Sequence, residues 1–252
     1  MTGWSSTVKL AGCDPNWNEK LAKSVDEINW SDEIQPVVNK LRNGERLDLN
    51  DGILLYNHLD IFEVGLLATC SKKSRFGNHV FFNSNVHINQ TNVCVLSCKF
   101  CAFSRTKRSK DAYSLSIEQY IDELEKYSSV VDEVHSVGGL HPDWDVDFYC
   151  TLFSTVKDRF PHISIKALTA VEIKHLSKVS KITIEEVFDK LIDSGLDSLP
   201  GGGAEILNDE IRDKICYGKE TSSEYIEIHR AAHKSGIPSN CTMLFGTIET
   251  LE

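Results

Sequence analysis

No stretch of the 252-residue sequence stays apolar for the ~18 residues that a membrane-spanning helix needs. Met1 is not followed by a basic stretch and then an apolar one, so no secretory signal is visible. These two absences predict a cytoplasmic protein with no membrane partner. A basic excess is missing as well. The 37 acidic residues outnumber 27 basic ones, for a formal net charge of -10. That argues against a nucleic-acid partner, because a phosphate footprint needs a basic face. The one basic cluster, residues 105–110, reads as a solvated loop. Internal repeats and low-complexity segments are also missing. Disulfides are not expected in a long chain with no export signal, although there are eight cysteines. Five of them are scattered and read as small buried apolar residues. The other three, Cys94, Cys98 and Cys101, fall within eight residues and need another explanation.

Apolar residues make up 41% of the chain, enough to core one large α/β domain or two small ones. Residues 1 to about 30 look irregular. Ile34, Val37, Val38 and Leu41 lie at helical spacing, and Gly44 can end that turn. Asn50 can cap a second helix over the apolar run that begins at Ile53 and ends at Leu67. Residues 1–80 therefore read as a helical lead-in.

From about residue 81 the pattern alternates. Strands are expected at 86–93, 134–137, 163–168, 196–199 and 240–245. Helices are expected between them, three of them opened by the capping boxes Ser116/Gln119, Thr183/Glu186 and Thr221/Glu224. Repeated βα units predict a parallel sheet with helical crossovers, a TIM-like partial barrel over residues 81–252. The polar and glycine-rich stretches all follow strands, on the face where such barrels build their sites. The fifth strand has no covering helix after it, so the chain reads as the N-terminal fragment of a longer protein, weakly stable alone.

The cysteine run follows the first strand with C-x3-C-x2-C spacing. A loop this tight can wrap three thiolates around one small object. On a [4Fe-4S] cluster, three thiolates leave one iron open for chemistry, unlike the four-cysteine ligation of electron-transfer clusters. Structural zinc is the alternative reading, but it wants four closed ligands. His87 is then a conceivable fourth.

With Phe100 just before the third cysteine, this run resembles the radical S-adenosylmethionine (SAM) superfamily. Longer strings resemble the aminofutalosine (aminodeoxyfutalosine) synthases of menaquinone biosynthesis: residues 89–96, Val137-Gly138-Gly139-Leu140-His141-Pro142-Asp143-Trp144, residues 166–173 and residues 197–206. The resemblance runs from about residue 45 to the end. It departs at Thr247, where relatives usually carry histidine, and it lacks the family's C-terminal portion. It implies that Cys94, Cys98 and Cys101 hold the cluster, that Gly138 and Gly139 meet the SAM amino group, and that Phe100 packs near the adenine. The implied reaction adds a 5′-deoxyadenosyl radical to the vinyl carbon of 3-[(1-carboxyvinyl)oxy]benzoate. Rearrangement through the ring and loss of bicarbonate give 6-amino-6-deoxyfutalosine, with methionine released. An electron donor such as flavodoxin or ferredoxin is implied too.

The substrate has two carboxylates and a flat ring, so its pocket needs cationic or N–H donors and apolar walls. His141 is the candidate for a carboxylate. Glu172 is a candidate for the SAM ribose or the substrate, and Glu205 for a hydroxyl. Residues 201–203 are glycines that would let backbone approach a ligand. Sister enzymes of the same superfamily, cyclic dehypoxanthinyl futalosine synthase and the deazaflavin-forming lyase, share the cysteines and the double glycine. The strings at 169–173 and 199–205 favour aminofutalosine synthase.

Overall fold

A computed structural model describes residues 12–251. Residues 1–11, the start of the segment read as irregular, lie outside the described residues. The chain divides into two compact units, one of the residues up to Phe82 together with those from Thr250 onward, the other spanning Asn83–Glu249.

The first unit is helical: α1 (Trp17–Asp26), α2 (Gln35–Arg42), α3 (Leu49–Asn57) and α4 (Ile61–Phe76). Helix α1 corrects the expected irregularity. Its Leu21 and Val25, one turn apart, share a core with Val37 and Val38 of α2 and with Leu67 and Cys70 of α4. The Trp30 indole N–H donates to the Val25 carbonyl at 2.7 Å and seats the large ring in that core. The run from Ile53 to Leu67 is two helices rather than one. His58 takes an extended backbone, and the Asp60 carboxylate then starts α4 by accepting from the Phe62 and Glu63 N–H groups. Asp48, not Asn50, caps α3, exchanging hydrogen bonds with Asp51.

The second unit carries three parallel strands in the order β1 (Asn85–His87), β2 (Glu133–Ser136), β3 (Ser164–Ala167). Helices follow in sequence: α5 (Ile117–Glu125), α6 (Val146–Arg159), α7 (Ala170–Ser180), α8 (Ile184–Asp193), α9 (Asp209–Ile215) and α10 (Ser222–Lys234). All three predicted capping boxes form, on α5, α8 and α10. Val134 and Ile165 pack into one core with Tyr120, Phe153 and Phe188 from the helices. The period of two along a strand turns the intervening residues to the opposite face.

Of the last two expected strands, 196–199 keeps only isolated parallel bridges, Lys166 with Ser198 and Leu199 with Ser239, and 240–245 forms no bridge, its pairing stopping at Ser239 just before it. The cause is local. The Asp197 carboxylate accepts from the Ile165 N–H at 2.7 Å, a donor the ladder would otherwise use. Pro200 then ends the segment. Residues 240–245 are held by spot contacts, Thr242 to the Gly201 carbonyl and the Leu244 N–H to the Glu205 carbonyl. The first strand also stops early. Beyond Ile88 the chain leaves β2 and pairs instead with residues 105–115, through Leu115 N–H to Gln90 O and Cys94 N–H to Arg105 O.

Two histidines in this unit are held far below the ordinary imidazole value of 6.5, each at about 4. Burial is the main cause for both, reinforced by His87 and Lys166 around His135 and by His233 beside His229. The unfolded chain takes up these protons near 6.5, the folded chain only near 4, so stability is full above that window and falls as pH drops through it. We expect urea titrations to show the parent losing more stability between pH 6.5 and pH 4.5 than a His135→Gln/His229→Gln double variant. Equal losses would contradict this.

Candidate active site

The ends of β1, β2 and β3 release three loops that meet at one cavity of about 210 Å³. Cys94, Cys98 and Cys101 line it together with Gly138, Gly139 and Thr169. All three thiols are free and partly accessible. The loop that presents them is fastened at both ends. Val95 N–H donates to the Leu140 carbonyl at 3.1 Å and Lys99 N–H to the Ile215 carbonyl at 2.8 Å. The Leu96 N–H points to the Cys94 sulfur at 3.4 Å, a donor suited to a thiolate. Burial pushes the Cys98 thiol up to about 11, with Lys219 pulling the other way. A thiol held this high gives up its proton most readily where a metal takes the proton's place.

The double glycine is required by close approach. A side chain on Gly139 would place its Cβ 2.2 Å from the Val93 carbonyl oxygen and 3.0 Å from the Cys94 Cβ. Backbone therefore packs on backbone, and the second loop is set directly against the first cysteine. The N–H groups of both glycines are used within the protein. Gly139 donates to the Thr91 carbonyl at 2.9 Å and Gly138 to the Glu172 carboxylate at 3.0 Å.

Glu172 is 3% exposed. One oxygen accepts from Gly138 and from the Gln90 amide at 3.3 Å. The other accepts from the Thr169 N–H and hydroxyl, each at 2.7 Å. Burial pushes its pKa up, against the pull of those donors. Glu172 lines the cysteine cavity, and both of its oxygens are engaged within the protein. Leu168, in the left-handed region at φ 62°, makes the turn from β3 that brings Thr169 to this carboxylate.

His141 is not among the residues lining the cysteine cavity. Its ring stacks on Trp144 with centroids 4.3 Å apart. Its Nδ1 accepts from the Asp143 N–H at 3.3 Å, and its carbonyl accepts from the His175 ring. Proximity in sequence to the double glycine did not carry it into the site. Among the glycines at 201–203, only Gly203 lines the cavity, and its φ of 97° excludes a comfortable side chain. Gly201 packs on Asn240 and Gly202 on Thr169. Arg105 pairs with Asp111 at 2.6 Å and donates to the Ala102 carbonyl, closing its own loop. Thr247 bonds to Glu249 in a local turn and does not line the cavity.

Phe100 and Glu205 do line it, and they share a partner that sequence reasoning missed. Lys219 reaches the Glu205 carboxylate at 2.6 Å, and its ammonium lies 5.6 Å from the centre of the Phe100 ring. Burial pulls the Lys219 pKa down, but the charge and hydrogen bond of Glu205 outweigh it, so the ammonium is held charged. A buried ion pair fixes this corner. Arg212 donates to the Glu220 carboxylate at 3.2 Å and to carbonyls of Glu220 and Gly203. The sequence signal was weak: a lone Gly218 before Lys219, between two helices.

The donor set fits a [4Fe-4S] cluster. Three soft cysteine sulfurs line one wall, with room beside them and a backbone N–H aimed at the Cys94 sulfur. Among the described residues, no three His, Cys, Asp or Glu side chains close on a single ion, and the three cysteines share a cavity wall without converging on one point. His87 is on the sheet, stacked against His135, and does not line the cavity.

Residues 88–252 match the radical SAM superfamily. The chain is 38% identical over 218 residues to aminodeoxyfutalosine synthase of Thermus thermophilus, covering 86% of this chain and 59% of that protein. It is 41% identical over 211 residues to aminodeoxyfutalosine synthase of Streptomyces coelicolor, covering 83% and 54%. Cyclic dehypoxanthine futalosine synthase of Streptomyces coelicolor is 33% identical over 226 residues, covering 86% and 56%. Among solved structures, methylornithine synthase has a TM-score of 0.63 at 19% identity, covering 80% of this chain and 56% of its own. The [FeFe]-hydrogenase maturase HydG has a TM-score of 0.64 at 16% identity, covering 92% and 51%. These structures share the fold. The chain spans about half the length of the curated relatives it matches.

We expect Gly139→Ala to push the Val93–Cys94 backbone aside and to lower iron bound after anaerobic reconstitution by more than about half, because Cβ atoms essentially never approach backbone this closely. Iron and sulfide assays decide it, and full loading of the variant would refute the close-packing argument. Glu172→Ala leaves several buried donors unpaired and should cost about 3 kcal/mol in urea unfolding. A loss below about 0.5 kcal/mol, the usual range for surface changes, would show that the carboxylate fastens nothing.

Proposed function

The chain belongs to the radical SAM superfamily, and from that premise we propose that it forms 6-amino-6-deoxyfutalosine from SAM and 3-[(1-carboxyvinyl)oxy]benzoate in menaquinone biosynthesis. Bicarbonate and methionine are the other products. The observation that carries this reading is the 38–41% identity to aminodeoxyfutalosine synthases over more than four-fifths of the chain. Identity to the cyclic dehypoxanthine futalosine synthase is lower, at 33%. A one-electron donor such as flavodoxin or ferredoxin belongs to the same reading.

Cys94, Cys98 and Cys101 would hold three corners of a [4Fe-4S] cluster and leave the fourth for SAM. When bound, the pair supplies a 5′-deoxyadenosyl radical for addition to the vinyl carbon. The protein's own part is to bind, orient and exclude water. The Gly138 and Gly139 N–H groups are already engaged, so their carbonyls would be the groups left to accept from the SAM ammonium. Phe100, Val137, Leu140 and Val171 give the cavity apolar walls, which keep water from a reactive intermediate. Lys219, held charged against Glu205, offers the cavity wall an ammonium for a carboxylate.

The reading is tested by anaerobic incubation of the reconstituted protein with SAM, a reductant and the enolpyruvyl benzoate, followed by mass analysis of nucleosides. The expected outcome is an adduct joining the deoxyadenosyl carbon to the substrate skeleton. Free 5′-deoxyadenosine with no adduct would rule out the addition reaction.

A further inference from the structure

One polar row of the sheet lies outside the lining of the cysteine cavity. The parallel register sets His87 of β1, His135 of β2 and Lys166 of β3 side by side. Their neighbours Val134 and Ile165 are buried against the helices, so the row occupies the face turned away from them. The two imidazoles stack with centroids 4.8 Å apart and planes 19° from parallel. Ser198 continues the row through its bridge to Lys166.

Among the described residues, no carboxylate forms an ion pair with the row, although one oxygen of Glu133 is buried without a partner. Lys157, Lys174, Lys190 and Lys219 of the same unit each pair with a carboxylate at 3.0 Å or less. Among the described residues, no acidic partner is placed on His87, His135 or Lys166. Glu133, two residues before His135 on the same face, gives one oxygen to the Asn83 amide at 3.0 Å. With His135 held uncharged at neutral pH by burial and its neighbours, Lys166 supplies the cation and the imidazoles supply N–H donors and flat apolar faces.

Position gives the row a purpose. Val137 follows His135 by two residues and lines the cysteine cavity. Two residues of extended chain span roughly 7 Å. The row therefore lies one side-chain layer beneath the cavity, on the sheet that supports it.

We infer that His87, His135 and Lys166 form a binding site for an aryl carboxylate, with the carboxylate on Lys166 and the ring against the stacked imidazoles. A planar two-oxygen anion suits an ammonium flanked by N–H donors, and a flat ring suits an imidazole face. The assignment rests on the benzoate substrate proposed above and names the part of the protein that holds its ring carboxylate.

The test uses isophthalate (benzene-1,3-dicarboxylate) as the probe and its uncharged diamide as the control. Binding to the reconstituted protein is followed by calorimetry and by the imidazole NMR signals of His87 and His135. Isophthalate should shift both histidine signals. Lys166→Met should weaken its binding ~10-fold or more, about 1.4 kcal/mol. Lys166→Arg, which keeps the charge, should stay within about three-fold of the parent, under ~0.7 kcal/mol. The diamide should bind weakly and be insensitive to Lys166→Met. No isophthalate binding to the parent, or equal binding by a folded Lys166→Met variant, would overturn the assignment. Lys166-dependent isophthalate binding without any nucleoside adduct from the enolpyruvyl benzoate would overturn only the proposed reaction.

Discussion

A single buried carboxylate ties the site together. Glu172 accepts from the glycine loop after β2, from the cap of α7 after β3, and from Gln90 on the chain that leads from β1 to the cysteines. Gln90 in turn accepts from the Ser136 hydroxyl and donates to Tyr149. Burying a charge is costly unless it is surrounded by donors, and here every donor comes from a loop that must be placed. The desolvation that raises the Glu172 pKa is opposed by these same bonds, so the arrangement holds only while all three loops are in register. Gly138 and Gly139 then bring the second loop within backbone distance of Cys94. The cysteine loop thus owes its position to a polar knot below it as much as to its own turns.

Local chemistry was legible where one short string determines the outcome. The capping boxes at Ser116, Thr183 and Thr221 form as their spacing predicts. The three cysteines and the double glycine meet at one cavity. Strand length was less legible, because ladders are made by partners far away in sequence. Asp197 looks like an ordinary polar residue beside a strand, yet its carboxylate takes the very N–H that would extend the pairing. The early helix was hidden for a similar reason. Leu21 and Val25 form a helix face only because α2 and α4 cover them.

Site residues divided along the same line. Phe100, Glu172 and Glu205 line the cavity, as their loops suggested, whereas His141, beside the double glycine, does not. Glu172 turned out to hold the motif itself, and the His141 ring found Trp144 three residues on. Lys219 carries no motif. Its place depends on the buried Arg212–Glu220 pair, which joins the chain around Gly203 to the turn before α10. That link is tertiary and leaves no spacing to read.

The two cations near the cavity differ in what they can do. Lys219 is already compensated by Glu205 and stands beside Cys98, where its charge eases the burden of gathering thiolates in a partly dry pocket. A lysine so committed attracts a further anion less strongly than a bare one, because its carboxylate partner repels the newcomer. Among the described residues Lys166 has no such partner, and it sits on rigid strand rather than loop, where side chains are held with the least spread. A chain with 10 more negative than positive charges repels anions at long range, so recognition of a carboxylate has to come from short-range contacts. A half-buried lysine on the sheet meets that requirement, and acidic residues beyond a Debye length do not weaken it.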